Sequence, residues 1–168
     1  MIVDVARAED AGALQALRNH YGAHSYATFD EAPLALAAVR DWMAGFAGTG
    51  PHRLRMARDG DRLMGWCSSQ PYRAHPAFAR TIETSVYVAP DAARAGVGSA
   101  LYEGLFAGLA GQGLHRAVVG IALPNEASVR LHARFGFRTV GVFDEYAHKN
   151  GRPISSQWMQ RAMDGALA

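Results

Sequence analysis

The sequence predicts an α/β (α+β) fold, a mixed and mostly antiparallel sheet flanked by helices. Three observations carry that expectation. Segments with period-2 and helical patterning follow one another as strand, two helices, three strands, helix, strand, helix, two strands, which is not the alternation of a Rossmann wind. The 168 residues are 49% hydrophobic, so 1–168 is read as a single domain with a real core. A glycine-rich turn, Arg94-Ala-Gly-Val-Gly98, joins a strand directly to a helix.

The elements follow in order. Ile2 to Ala6 alternates apolar residues with Asp4 and reads as a short strand. Glu9 and Asp10 place negative charge at the start of a helix whose Leu14, Leu17 and Tyr21 share one face, with Gly22 as its expected stop. The segment from His24 to Pro33 has neither period and reads as a loop. Pro33 is expected to start a second helix carrying Leu36, Val39, Trp42, Met43 and Phe46. Arg53 to Ala57 and Leu63 to Gln70 read as a hairpin around Asp59-Gly60. A loop of prolines, aromatics, arginines and one histidine, Pro71 to Arg80, suits gripping a small polar ligand better than filling a core.

Thr84 to Val88 is the next strand, stopped by Pro90 and Asp91. After the glycine turn, Leu101, Leu105 and Leu109 recur at helical spacing to an end near Gly113. Backbone N–H groups and the positive end of a helix dipole then converge on one point, which suits a phosphate or pyrophosphate. His115 to Ala122 reads as a central strand, Pro124 to Gly136 as a loop and short helix, and Arg138–Phe143 and Ile154–Arg161 as two strands joined through Asn150-Gly151.

A net charge of +2 and the lack of a polybasic stretch give no reason to expect nucleic acid as a partner. The single cysteine, Cys67, excludes an internal disulfide and fits a reducing cytosol. The first residues carry acids where a signal peptide carries a basic region, and no apolar run reaches the ~18 residues that suggest a membrane span. A cytoplasmic protein is expected, without a membrane partner. The histidines His20, His24, His115 and His148 have no ligand spacing, so no metal is expected.

Several of these segments together resemble the GNAT superfamily of acetyl-CoA-dependent N-acetyltransferases. The glycine turn after a strand, Asn125 and Ser128 before Leu131-His132, and Phe135-Gly-Phe carry the likeness. Within it the closest likeness is to the phosphinothricin and methionine sulfoximine or sulfone N-acetyltransferases, through Asn19-His-Tyr21, Ala27-Thr-Phe-Asp30, Glu83-Thr-Ser-Val-Tyr-Val88 and Leu123-Pro-Asn125. The resemblance spans nearly the whole chain. It implies a sheet splayed between the strands at Val86–Val88 and His115–Ala122, with acetyl-CoA as co-substrate in the opening. Arg94, Ala95, Gly96, Val97, Gly98 and Ser99 then hold the pyrophosphate, Val86, Tyr87 and Val88 pair with the pantetheine arm, and Asn125 with Ser128 meets it from the next strand's end. Ala93 departs from the superfamily, where glutamine or arginine is usual.

Acetyl transfer to an amine needs the amine uncharged, the thioester carbonyl polarised and the leaving thiolate protonated. Glu83 is the expected base, against the plainer reading of a strand-end carboxylate facing water. His132 is the expected proton donor, against a packing histidine. A backbone N–H of Val86–Val88 is expected at the oxyanion. Thr28, Phe29, Tyr72, Arg73, His75, Phe78, Thr84 and Ser85, with Glu83, are expected to form the acceptor pocket, and Arg80 to add charge. His75 and Phe78 stand where phosphinothricin-modifying enzymes tend to have arginine and tyrosine, which points to a less charged or more apolar acceptor. The resemblance also implies a homodimer. The rival readings are an acetyltransferase for a protein N-terminus or another amine, which Arg73 and Arg80 disfavour if it is a polycation, and a silent acyl-CoA sensor, which has no need of Glu83 and His132. Cys67, mid-strand and without a histidine partner, reads as core.

Overall fold

A computed structural model describes residues 1–163 of the chain. Its elements, in order, are β1 (Ile2–Val5), α1 (Ala11–His24), α2 (Leu36–Ala44), β2 (Arg53–Asp59), β3 (Arg62–Pro71), β4 (Thr81–Val88), α3 (Val97–Leu109), β5 (Arg116–Ala122), α4 (Glu126–Arg134), β6 (Arg138–Lys149) and β7 (Arg152–Ala162). The strands form one sheet in the order β1-β2-β3-β4-β5-β7-β6. Every neighbouring pair is antiparallel except β4 and β5. The expected α+β class and element order are therefore the ones observed.

Side-chain alternation along β4 assigns the two faces of the sheet. Tyr87 stacks on Trp66, which meets Trp42 of α2, so Thr81, Glu83, Ser85 and Tyr87 belong to the α1/α2 face. Thr84 is bonded to Tyr102 of α3, so Ile82, Thr84, Val86 and Val88 belong to the α3 face. Leu101, Leu105 and Leu109 of α3 are buried there with Ile82, Ala117 and Val119. Burying each such leucine contributes roughly 1.5–3 kcal/mol.

Some boundaries move, each for a local reason. The second helix begins at Leu36 rather than Pro33. Side chains of α1 hold Leu34 extended: Asn19 Oδ1 accepts its N–H at 2.8 Å, and Gln15 Nε2 donates to its carbonyl at 2.7 Å. The first helix runs two residues past Gly22, to His24. β6 continues past Phe143 through an irregularity in which Glu145 has a positive φ of 46° and donates its N–H to Ser155 Oγ. The longer strand brings Lys149, the chain's single lysine, back to the loop between α1 and α2. Its side chain is buried, and its ammonium donates to the carbonyls of Ser25 at 2.7 Å and Thr28 at 2.8 Å. Asn150 N–H donates to Glu31 Oε1 at 2.6 Å, so the β6–β7 turn grips that loop at both ends.

Replacing Lys149 by methionine keeps the bulk and removes both donors. Removing the donor from two half-buried carbonyls is expected to cost about 2 kcal/mol, which lowers the melting temperature by roughly 4–8 °C for a chain of this size. A thermal melt of Lys149→Met against the unsubstituted protein checks it; an unchanged midpoint contradicts the clamp.

Candidate active site

The site begins where the sheet stops pairing. β4 and β5 are in register at Thr81↔Arg116, Ile82↔Ala117 and Glu83↔Val118, and no further. On its other side β4 stays paired with β3 as far as Val88. Ala89 N–H donates to Met64 carbonyl at 2.8 Å, which fixes the phase of that antiparallel ladder. The N–H and C=O groups of Val86 and Val88 consequently face the β5 side, where β5 has drawn away. Tyr21 Oη donates to the Val88 carbonyl at 2.7 Å. The Val86–Val88 edge, Asn125 and Ser128 line a cavity of about 180 Å³, continued below by a narrower one of about 60 Å³ between the diverging strands. Asn125 Oδ1 caps α4 by accepting the Ser128 N–H at 3.1 Å, which leaves its amide N–H groups for the groove.

The groove leads to the start of α3. Arg94 and Gly96 both have positive φ, 69° and 75°. The first helix bond runs from Ala100 N–H to Gly96 carbonyl at 3.0 Å, so the N–H groups of Val97, Gly98 and Ser99 have no intrahelical acceptor. Ala95 differs: its N–H turns back to the Ala92 carbonyl at 3.3 Å and is not available to an anion. The two glycines serve different ends. A Cβ at Gly96 meets no atom within 4 Å, and its requirement is the left-handed backbone. A Cβ at Gly98 lies 3.0 Å from Leu131 Cδ2 and 3.7 Å from Val88 Cγ2, so that glycine lets α3 close on α4. A strand edge unpaired at the Val86 N–H and C=O and at the Val88 N–H, a cradle at a helix N-terminus and the Asn125 amide together fit a long, amide-bearing, diphosphate ligand.

Beneath the opening lies a buried polar chain. His132 is 1% exposed. Its Nδ1 donates to the Ser128 carbonyl at 2.7 Å, since a carbonyl only accepts, so Nε2 accepts from Tyr102 Oη at 2.6 Å. Tyr102 Oη lies 3.3 Å from Thr84 Oγ1. Burial lowers the His132 pKa and raises the Tyr102 pKa, so both are neutral near pH 7. His132 borders the narrow cavity, but neither ring nitrogen is free for an incoming group. Thr84, expected in the acceptor pocket, turns its hydroxyl to Tyr102 on the opposite face from Glu83.

On the α1/α2 face, Glu83 sits at the last paired position, beside Gln70 of β3 and Val118 of β5. Burial alone raises its pKa. Two cavities open on this face, lined by neighbours of Glu83 and not by Glu83 itself. One, of about 190 Å³, is bordered by Thr28, Gln70 and Ser85. The other, of about 520 Å³, is bordered by Tyr72, Phe78, Val118 and Trp158. Arg73 is exposed and lies over the rings of Tyr72 and Phe78, at 5.1 and 5.7 Å. His75 is exposed, and its Nδ1 accepts the Ala77 N–H at 3.1 Å. Phe29 is exposed and edges against Tyr146. Arg80 lies outside both cavities, donating to the Gly113 carbonyl at 2.6 Å. Cys67 is buried, its thiol pKa is pushed up, and its sulfur bonds the Leu101 carbonyl. Sequence reasoning missed Tyr21, Tyr102 and Lys149: the tyrosines sit in helices at core spacing, and only the solitary lysine before a turn was a compositional signal.

Comparison with known proteins gives the family and the fold. The acetyltransferase (GNAT) domain family matches residues 3–158. The chain is 48% identical, over 92% of both chains, to phosphinothricin N-acetyltransferase of Streptomyces coelicolor. It is 31% identical to the L-methionine sulfoximine/L-methionine sulfone acetyltransferase of Pseudomonas aeruginosa, over 92% of this chain and 90% of that one. Among solved structures, yncA of Salmonella typhimurium with its cofactor acetyl-CoA superposes with a TM-score of 0.92 at 27% identity, covering 100% of this chain and 96% of that one.

The two glycines separate by experiment. Gly96→Val is expected to raise the acetyl-CoA dissociation constant at least tenfold, because a branched residue resists the left-handed cradle. Gly98→Val is expected to lose about 1–3 kcal/mol of stability through the Leu131 contact. Calorimetric titration paired with a thermal melt reads both, and equal effects of the two variants contradict the division of roles.

Proposed function

Since the chain belongs to the GNAT superfamily and is an N-acetyltransferase, we propose that it acetylates the α-amine of a small amino-acid-like acceptor, of the methionine sulfoximine, methionine sulfone or phosphinothricin type, by direct attack in a ternary complex. The observation that carries this reading is the position of Glu83. It stands at the fork of the sheet, on the face with the two cavities and one step from the strand edge that enters the opening. An acceptor on that face and a thioester in the opening share only this short stretch of β4.

Acetyl-CoA supplies an activated acetyl group, and the chain's own residues do the rest. Val97, Gly98 and Ser99 N–H groups, with Arg94, hold the diphosphate. Asn125 and the Val86–Val88 edge align the arm, and an inward N–H of that edge polarises the thioester carbonyl. Glu83 takes one proton from the α-ammonium, directly or through water, and the amine nitrogen attacks the carbonyl carbon; as the carbon–sulfur bond breaks, the second proton shed by that nitrogen passes to the departing thiolate, and the N-acetyl product and the coenzyme A thiol leave. His132 acts as a positioning residue: through Tyr102 it fixes Thr84 and with it the point where β4 leaves β5. Arg73 offers a cation to the acceptor carboxylate. The exposed apolar residues of β6, Val140, Val142, Phe143 and Tyr146, between 46% and 62% exposed, support a homodimer in which a second copy covers this edge strand. No helix among the described residues is long and apolar enough to cross a membrane, and the cytoplasm is the proposed compartment.

A thiol-release assay with acetyl-CoA and free amino acids, methionine sulfone, methionine sulfoximine and phosphinothricin tests the acceptor class; release with none of them rejects it. Glu83→Gln is expected to lower turnover at least tenfold while acetyl-CoA affinity survives. A base works as its carboxylate, so kcat/KM falls as pH drops through the Glu83 pKa. Because burial raises that pKa, the acid limb is expected above the ordinary glutamate range and absent from the glutamine variant. A limb that persists in Glu83→Gln assigns the base elsewhere.

A further inference from the structure

We propose that Arg18 and Asp30 form a charge-balanced subsite that selects acceptors ending in a neutral group able both to donate and to accept a hydrogen bond, a sulfoximine above a phosphinate anion. The inference rests on the amino-acid acceptor reading above and specifies its side-chain end. The smaller cavity on the Glu83 face is walled by the aromatic rings of Trp42, Trp66 and Tyr87 and by five polar side chains, Arg18, Thr28, Asp30, Gln70 and Ser85.

The two charges are held near each other but not closed. Arg18 Nη2 and Asp30 Oδ2 lie 3.8 Å apart, with 22% and 34% of their side chains exposed. Each is anchored from another side. The Arg18 guanidinium carbon lies 4.8 Å over the Trp42 ring, a cation–π contact that keeps it against the wall. The Thr28 hydroxyl donates to Asp30 Oδ2 at 2.9 Å. Gln70 is turned by Trp42 Nε1, which donates to its Oε1 at 3.0 Å. The indole N–H of Trp66, in the same wall, is buried without a partner.

The wall therefore presents a donor from Arg18 and an acceptor from Asp30, with opposite charges that cancel. A sulfoximine answers both: its oxygen accepts from the guanidinium, and its imine N–H donates to Asp30. A sulfone answers only the donor. A phosphinate brings a negative charge against Asp30, and the favourable contact with Arg18 must offset that repulsion. The preference is thus set by a like charge placed against the wrong ligand as much as by contacts to the right one.

The test compares kcat/KM for L-methionine sulfoximine and L-phosphinothricin at one pH. The unsubstituted enzyme is expected to favour the sulfoximine at least tenfold. Asp30→Asn, which keeps the shape and removes the charge, is expected to shift the ratio toward phosphinothricin at least tenfold with the acetyl-CoA KM within twofold. Arg18→Gln, which leaves Asp30 uncompensated, is expected to move the ratio the other way and reads the subsite if Asp30→Asn does not fold. A preference of the unsubstituted enzyme for phosphinothricin, or a ratio unchanged within threefold in a folded variant, overturns the inference. Acetylation of no amino-acid analogue at all is a different result, which fails the acceptor reading itself.

Discussion

The parting of β4 from β5 after Glu83↔Val118 is the constraint on which the rest of the structure depends. A parallel pair buried in the middle of a sheet normally continues, because every unpaired N–H and C=O left behind loses its partner. Here pairing ends after three residues, although β4 stays bonded to β3 through Val88 and β5 to β7 through Ala122. The exposed edge lies inside the fold, where another chain cannot add to it, and is open to a ligand that carries its own amides. Each functional element is placed by that fork: the cradle at one end of the opening, Asn125 and Ser128 along its far side, Glu83 at its apex.

Holding a fork open requires fixed points around it. The largely buried Thr84–Tyr102–His132–Ser128 chain joins β4, α3 and α4, and at low dielectric a half-satisfied network is costly and a complete one is rigid. Tyr21 Oη takes the Val88 carbonyl, and Tyr87 Oη donates to the Ala27 carbonyl at 2.9 Å, so the loop after α1 is tied to the same strand. Lys149 ties that loop again from β6. The proposed acceptor side of the site therefore includes a loop whose own sequence has no regular period but whose carbonyls are fastened from two other elements.

Residues 83 to 99 made much of this legible in the sequence. A strand, a proline stop, a glycine turn and a leucine-spaced helix are all local patterns, and local patterns survive translation into structure. What stayed hidden depends on partners distant in sequence. The start of α2 was misplaced because Asn19 and Gln15 of the preceding helix, not a capping residue of its own, hold Leu34 extended. The reach of β6 was underestimated because a positive φ at Glu145 lets the strand continue beyond a break in its alternation. Gly98 read as a partner of the anion, and its packing against Leu131 of another helix left no mark in its neighbours. Thr84 and Ser85 are adjacent in sequence, yet strand alternation sends one to the α3 face and the other to the α1/α2 face.

If amine and thioester meet at the apex of the fork, both substrates must be bound together before any bond changes. Initial rates of thiol release, measured over a grid of acetyl-CoA and L-methionine sulfoximine concentrations, read that requirement directly. Intersecting double-reciprocal lines are the expected result, with no acetylated protein in the absence of acceptor. Parallel lines, together with an acetyl group carried on the enzyme, would contradict the account.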